Sequence, residues 1–225
     1  SLVVSGRSAA SGEAAATELA ALGVSARYVQ ADISSVEACA RLIESALEHM
    51  GTPNALVNAA ASCARGSLLD TTPAIWTELM DTNARGPFFT MQAFARQAIA
   101  AGKPASIVNI ASMVIHCGQS FLAPYSASKA ALAKITKNSA QALRPNRIRC
   151  NAIACGWMDT PGEDATQRRY HGAGDDWLER AEAAQPFGQL IKPAEVAPLA
   201  TYLLSPVSGV MTGAIIDCDQ NIAGA

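Results

Sequence analysis

The stretch SIVNIASMVIHCGQSFLAPYSASKAALAKITKNSAQALRPNRIRCNAI, residues 106–153, decides the fold. It opens on an apolar run of strand length, Ser106 to Ile110, passes into a segment of helical period from Pro124 to Leu143, and closes on a second apolar run, Ile148 to Ile153. Parallel strands need a long crossover between them, commonly a helix, so this pattern reads as a strand, a helix and a parallel strand. Pro124 suits a first helical position, where the N–H it lacks has no intrahelical partner.

The same alternation continues in both directions. Strand-like runs occur at Leu2 to Ser5, Ala26 to Gln30, Ala55 to Ala59 and Ala214 to Cys218, with helical stretches at Ser11 to Leu22, Ser35 to Met50, Pro73 to Ala101 and Pro193 to Leu204. An α/β fold with a doubly wound parallel sheet follows, and residues 1–225 are expected to form a single domain. Residues 156–192 break the rhythm, being polar and charge-rich. We read them as a substrate lid with a short helix around Asp176 to Ala184, since a segment this long is usually functional.

Composition narrows the partners. Half of the 225 residues are hydrophobic and the formal net charge is −2, so the chain can bury a core but carries no positive field for nucleic acid or anionic lipid. The longest apolar runs fall short of a bilayer span, and no secretory leader stands at the start. The six cysteines form no CxxC pair and no metal-ligand spacing, which predicts reduced thiols, no metal, and a cytoplasmic setting.

Tyr125 and Lys129 stand four apart on one expected helix face. A phenol near pKa 10 is a weak base at neutral pH, and a neighbouring ammonium favours its phenolate. Ser112 lies thirteen residues before Tyr125, at the carboxyl end of the Ser106 run, where open α/β sheets place ligands. A hydroxyl there can donate to a carbonyl oxygen that is becoming an alkoxide.

Ser112 followed by Tyr125-Ser-Ala-Ser-Lys129 resembles the core signature of the short-chain dehydrogenase/reductase family. Asn58-Ala-Ala-Ala61 is similar to that family's Asn-Asn-Ala-Gly segment beside the cofactor, with Ala59 and Ala61 as departures. Asn83 resembles the family's mid-helix Asn, which helps hold a water linked to the catalytic Lys. Asp32, followed by Ile33, stands where the family carries an acid reading the adenine edge. Asn151 through Gly156 and Met158 to Thr160 resembles the segment holding the nicotinamide carboxamide and phosphates, with Cys155 in place of the usual Pro.

The resemblance implies a Rossmann-like fold and NAD(P)-dependent interconversion of a secondary alcohol and a carbonyl. It assigns catalysis to Asn83, Ser112, Tyr125 and Lys129, and cofactor contacts to Arg7, Asp32, Ile33, Asn58, Ala59, Ala60, Tyr125, Lys129, Gly156, Met158 and Thr160. Gly6 and Arg7 end the first run, where an acid would exclude a 2′-phosphate; Arg7 can pair with one, so NADP is expected over NAD. No counterpart to the family's glycine-rich phosphate loop is found, and the chain reads from the family's second strand. A preceding strand, loop and helix of about thirty residues is therefore expected upstream, with activity in the intact protein.

His116, Asp159, Arg168, Arg169 and His171 are candidate polar linings of the pocket and favour a polyol or sugar-like substrate. The long Ala-rich helices resemble those that pair subunits in family homodimers and homotetramers. Two other readings stand beside this one. A catalytically silent dinucleotide-binding relative, acting as sensor or scaffold, accounts for Ala61, Cys155 and Gln220. A serine hydrolase would use Ser112 with His116 or His171, but no Gly-x-Ser-x-Gly elbow surrounds Ser112.

Overall fold

The computed structural model describes residues 1–222. Six strands alternate with eight α-helices: β1 (Leu2–Gly6), α1 (Ala9–Ala21), β2 (Ala26–Gln30), α2 (Val36–Met50), β3 (Ala55–Asn58), α3 (Pro73–Met80), α4 (Gly86–Ala100), β4 (Ala105–Ile110), α5 (Ala123–Leu143), β5 (Ile148–Cys155), α6 (Pro161–His171), α7 (Trp177–Ala183), α8 (Pro193–Leu204) and β6 (Ile215–Cys218).

All strand pairs are parallel. β4 pairs β5 from Ala105 opposite Ile148 to Ile110 opposite Ile153, with β3 and β6 on either side in the order β3-β4-β5-β6. β1 and β2 form a separate pair. The parallel sheet is thus divided in two, as the described residues supply no strand hydrogen-bonded to both β1 and β3.

Side-chain alternation makes β4 and β5 two-faced. Ile107, Ile148 and Cys150 join Ile43 of α2 and Met91 and Phe94 of α4 in one core cluster. Val108, Ile153 and Cys155 join Val196 and Leu203 of α8 in another. Helices therefore cover both faces, which is the doubly wound arrangement. Asn109 crosses the first cluster as a polar hub, donating to Thr136 Oγ1 at 2.9 Å and accepting from Asn58 Nδ2 at 2.9 Å.

The helix expected from Pro73 to Ala101 is interrupted by a π-helical turn over Asp81–Arg85. Asn83 sits in that turn, and mid-helix Asn offers rival hydrogen bonds that loosen the regular ladder. The segment of residues 156–192 also differs from expectation. Besides α7 it contains α6, a polar helix without the apolar stripe that periodicity detects. Its stability is local: Thr160 caps it, Pro161 opens it, Glu163 and Asp164 lie in the first turn, and Arg168, Arg169 and His171 in the last.

Candidate active site

A cavity of about 1110 Å³ lies over the carboxyl ends of β1, β3, β4 and β5 and is lined on its other side by residues of the 156–192 segment. The first turn of α5 brings Tyr125 to its wall, and Lys129 follows one turn later. Ser112, immediately beyond β4, caps the short helical turn Met113–Ile115 through a 3.4 Å contact from Val114 N. These three residues line the same cavity.

Lys129 is buried and its Nζ donates to the Ile110 carbonyl at 2.8 Å. Burial pulls its pKa from 10.5 to about 8, with Cys63 and Cys155 acting in the other direction. Burial likewise pushes Tyr125 well above the ordinary phenol range; Cys63 adds to that rise and the Ser112 side chain opposes it. In the protein alone, then, Tyr125 is held as a phenol, the form that can donate a proton. The expectation that the Lys129 charge brings Tyr125 down is corrected for this state. Desolvation is the largest influence on Tyr125 in this state, while the Lys129 ammonium is bonded to Ile110 and stands 5.9 Å from the ring centroid.

Asn83 is fully buried. Its Nδ2 donates to the Ser62 carbonyl at 2.9 Å and to Ser128 Oγ at 3.0 Å, while its Oδ1 accepts from Ser62 N at 2.8 Å. Ser128 Oγ in turn donates to the Tyr125 carbonyl at 2.7 Å. The π-turn therefore ties the loop after β3 to the catalytic helix. The Asn83 side-chain amide is committed to Ser62 and Ser128.

Of the expected cofactor residues, Arg7, Ala59, Gly156, Met158 and Thr160 line the cavity with Tyr125 and Lys129. Asp32, Ile33, Asn58 and Ala60 stand outside that lining. The Asn58 amide is spent on Asn109. Hydrogen bonds from Ser34 hold the Asp32 carboxyl below its usual range, and the Arg7 charge adds to the effect. Sequence alone placed no acid beside Arg7; the fold brings Asp32 within its electrostatic reach. The cavity's volume and the small residues Ala59, Ala61, Ala111 and Gly156 at the strand ends leave room for a dinucleotide, and at Gly156 a Cβ would collide with Asp219.

On the lid side, Arg169 and His171 line the cavity, whereas Asp159 pairs with Lys192 at 2.8 Å, Arg168 with Asp164 at 3.0 Å, and His116 with Asp217 at 3.0 Å. Neither His116 nor His171 bonds Ser112 among the described residues, so the hydrolase arrangement does not form. Sequence reading missed Cys63, Arg65, Phe121 and Glu163, all on the cavity wall. No local motif marks them, because only the fold gathers them. Gln220 ties β6 to the lid, donating to the Gln189 carbonyl at 2.7 Å and accepting from Phe187 N at 2.8 Å. Groups of acids, His and Cys able to hold a metal are absent among the described residues, as is a helix long and apolar enough to cross a membrane.

A parallel doubly wound sheet with Ser, Tyr and Lys gathered at strand ends defines a class, and comparison agrees. A family model described as enoyl-(acyl carrier protein) reductase matches residues 1–220. The L-rhamnose 1-dehydrogenase (NAD(P)(+)) of Azotobacter vinelandii is 31% identical over 92% of this chain and 79% of its own. The galactitol 2-dehydrogenase (L-tagatose-forming) of Cereibacter sphaeroides is 34% identical over 97% of this chain and 83% of its own. An actinorhodin polyketide ketoreductase variant solved with NADPH superposes with a TM-score of 0.90 at 28% identity, covering 99% of this chain and 87% of that one. The chain belongs to the short-chain dehydrogenase/reductase family and is an NAD(P)-dependent oxidoreductase of alcohols and carbonyls.

Proposed function

We propose that the protein interconverts a polyol or sugar-like secondary alcohol and its ketone, with NADP favoured over NAD. The carrying observation is the convergence of Ser112, Tyr125 and Lys129 on one cavity wall. Bound nicotinamide supplies or accepts the hydride. Ser112 holds the substrate oxygen, Tyr125 exchanges the proton on it, and Lys129 orients the nicotinamide ribose and lowers the cost of Tyr125 ionisation once its charge is redirected by ligand. Asn83 holds the loop and helix that frame these groups. Arg7, Ala59, Gly156, Met158 and Thr160 contact the dinucleotide. Residues 156–192, within a single domain of residues 1–225, cover the substrate.

The polar lid lining, with Arg169 and His171 on the cavity, supports a hydroxylated substrate. The relatives named for rhamnose and galactitol support the same reading. We further propose a cytoplasmic homodimer or homotetramer; the exposed Phe88 and Ile99 on α4 support helix pairing between subunits. The test is oxidation of a panel of sugar alcohols and aldoses by the purified protein with NADP and with NAD. Turnover of simple cyclic or aliphatic alcohols in preference to every polyol would contradict the substrate reading.

A further inference from the structure

Arg65 is a charged side chain in the substrate half of the cavity that the hydride chemistry does not use. Its side chain is only 13% exposed. The loop that carries it is fixed at both ends. Ser62 is bonded to Asn83, and Gly66 is bonded to the start of α5, through Gly66 N to the Phe121 carbonyl at 3.0 Å and Ala123 N to the Gly66 carbonyl at 3.1 Å. Two of the guanidinium nitrogens are used: Nε donates to His171 Nε2 at 3.3 Å and Nη1 to the Cys63 carbonyl at 3.0 Å. The plane also lies 5.9 Å from the Phe121 ring centroid.

The remaining nitrogen, Nη2, has Glu163 Oε1 as its nearest acid at 3.7 Å, beyond hydrogen-bond distance. That oxygen is already committed, accepting from Trp157 Nε1 at 2.8 Å and from Gln167 Nε2 at 2.7 Å. Among the described residues Nη2 therefore donates to no protein acceptor. A guanidinium this enclosed, held in a fixed orientation and incompletely paired, is costly unless a ligand completes it, and its fork matches a carboxylate. Its charge also bears on Tyr125 and Cys63, which places it beside the reacting end of the pocket.

We propose that Arg65 anchors a substrate carboxylate, so that the alcohols oxidised here are polyhydroxy acids in preference to neutral polyols. This rests on the polyol reading above and narrows it. Glu163 and His171, both on α6, then serve as the lid's own contacts to the anchor, and an acid substrate draws the lid to Arg65 as it binds. Of the cavity's other charged groups, Arg7, Lys129 and Arg169 favour an anion, whereas Asp219 and Glu78, the latter occupied in a 2.6 Å bond from Ser62, do not.

The test compares galactonate with galactitol in wild type, Arg65→Gln and Arg65→Lys, with NADP as oxidant. Binding of galactonate and malate to the NADPH-loaded protein is measured alongside by calorimetry. Wild type is expected to prefer galactonate, and Arg65→Gln to lower the galactonate-to-galactitol ratio of kcat/KM by about 30-fold or more, chiefly through KM, as loss of an enclosed charge-assisted hydrogen bond predicts. Arg65→Lys, which keeps the charge, should recover part of that ratio and decides the matter if the Gln variant fails to fold. A ratio unchanged in the variants, or no binding of either acid to wild type, overturns the anchor. Arg65-dependent binding of malate without any turnover of galactonate or galactitol upholds the anchor and retires the polyol reading.

Discussion

The Nζ of Lys129 stands 5.9 Å from the centroid of the Tyr125 ring while donating to the Ile110 carbonyl at 2.8 Å. The two groups are thus brought near each other one helical turn apart, but in the protein alone the ammonium is spent on the end of β4. Burial then governs both, drawing Lys129 toward neutrality and Tyr125 toward the phenol.

Lys129 makes stability depend on pH in a defined window. Its folded pKa, about 8, lies below its unfolded value of 10.5, so the charged form costs stability. Between these values the unfolded chain binds more protons, and stability rises with pH. Denaturant unfolding of wild type and Lys129→Met should show wild type gaining on the variant by on the order of 2 kcal/mol from pH 8 to pH 10.5. A difference that does not change with pH would refute this burial effect.

Asn83 carries three hydrogen bonds at zero exposure, and Asn83→Ala leaves Ser62 N, the Ser62 carbonyl and Ser128 Oγ short of partners. Stability should fall by about 2–4 kcal/mol, with turnover falling as the loop after β3 shifts against α5. Urea unfolding and kcat measured on the same preparation check both effects.

The order of the lid rests on Thr160, whose hydroxyl accepts from Glu163 N at 3.1 Å. Thr160→Ala should cost about 1 kcal/mol, most of it locally, because α6 has little apolar burial to resist fraying. Amide hydrogen exchange over residues 161–171 should quicken by about 5-fold while β4 and β5 stay protected.

Arg7 is the candidate reader of a 2′-phosphate, although Asp32 within its reach shares its charge. Arg7→Ala should lower the NADPH-to-NADH ratio of kcat/KM by about 10-fold. An unaltered ratio would move phosphate recognition elsewhere.

Much of this was legible in the sequence because period and punctuation agree. Ala26–Gln30 and Pro193–Leu204 were delimited to the residue by apolar period and by Pro193, while Ser112, Tyr125 and Lys129, singled out by the family resemblance, line one cavity. What escaped depends on forces that leave no period. α6 is stabilised by its caps and terminal charges, so a search for an apolar stripe passes over it. The π-turn was signalled only by an Asn inside a helix, and its purpose, holding Ser62 and Ser128, emerges when residues 21 and 45 positions away meet Asn83. Arg65 lay in a loop without motif and acquired meaning only when His171, 106 positions further on, closed over it.

Tyr125 is proposed to handle the substrate proton, with the dinucleotide held chiefly by Arg7, Ala59, Gly156, Met158 and Thr160. The most direct measurement is Tyr125→Phe, assayed in parallel for alcohol oxidation and for NADPH binding by fluorescence. Turnover should fall by about 1000-fold or more with NADPH affinity within about 3-fold of wild type. Turnover near the wild-type rate would contradict the assignment.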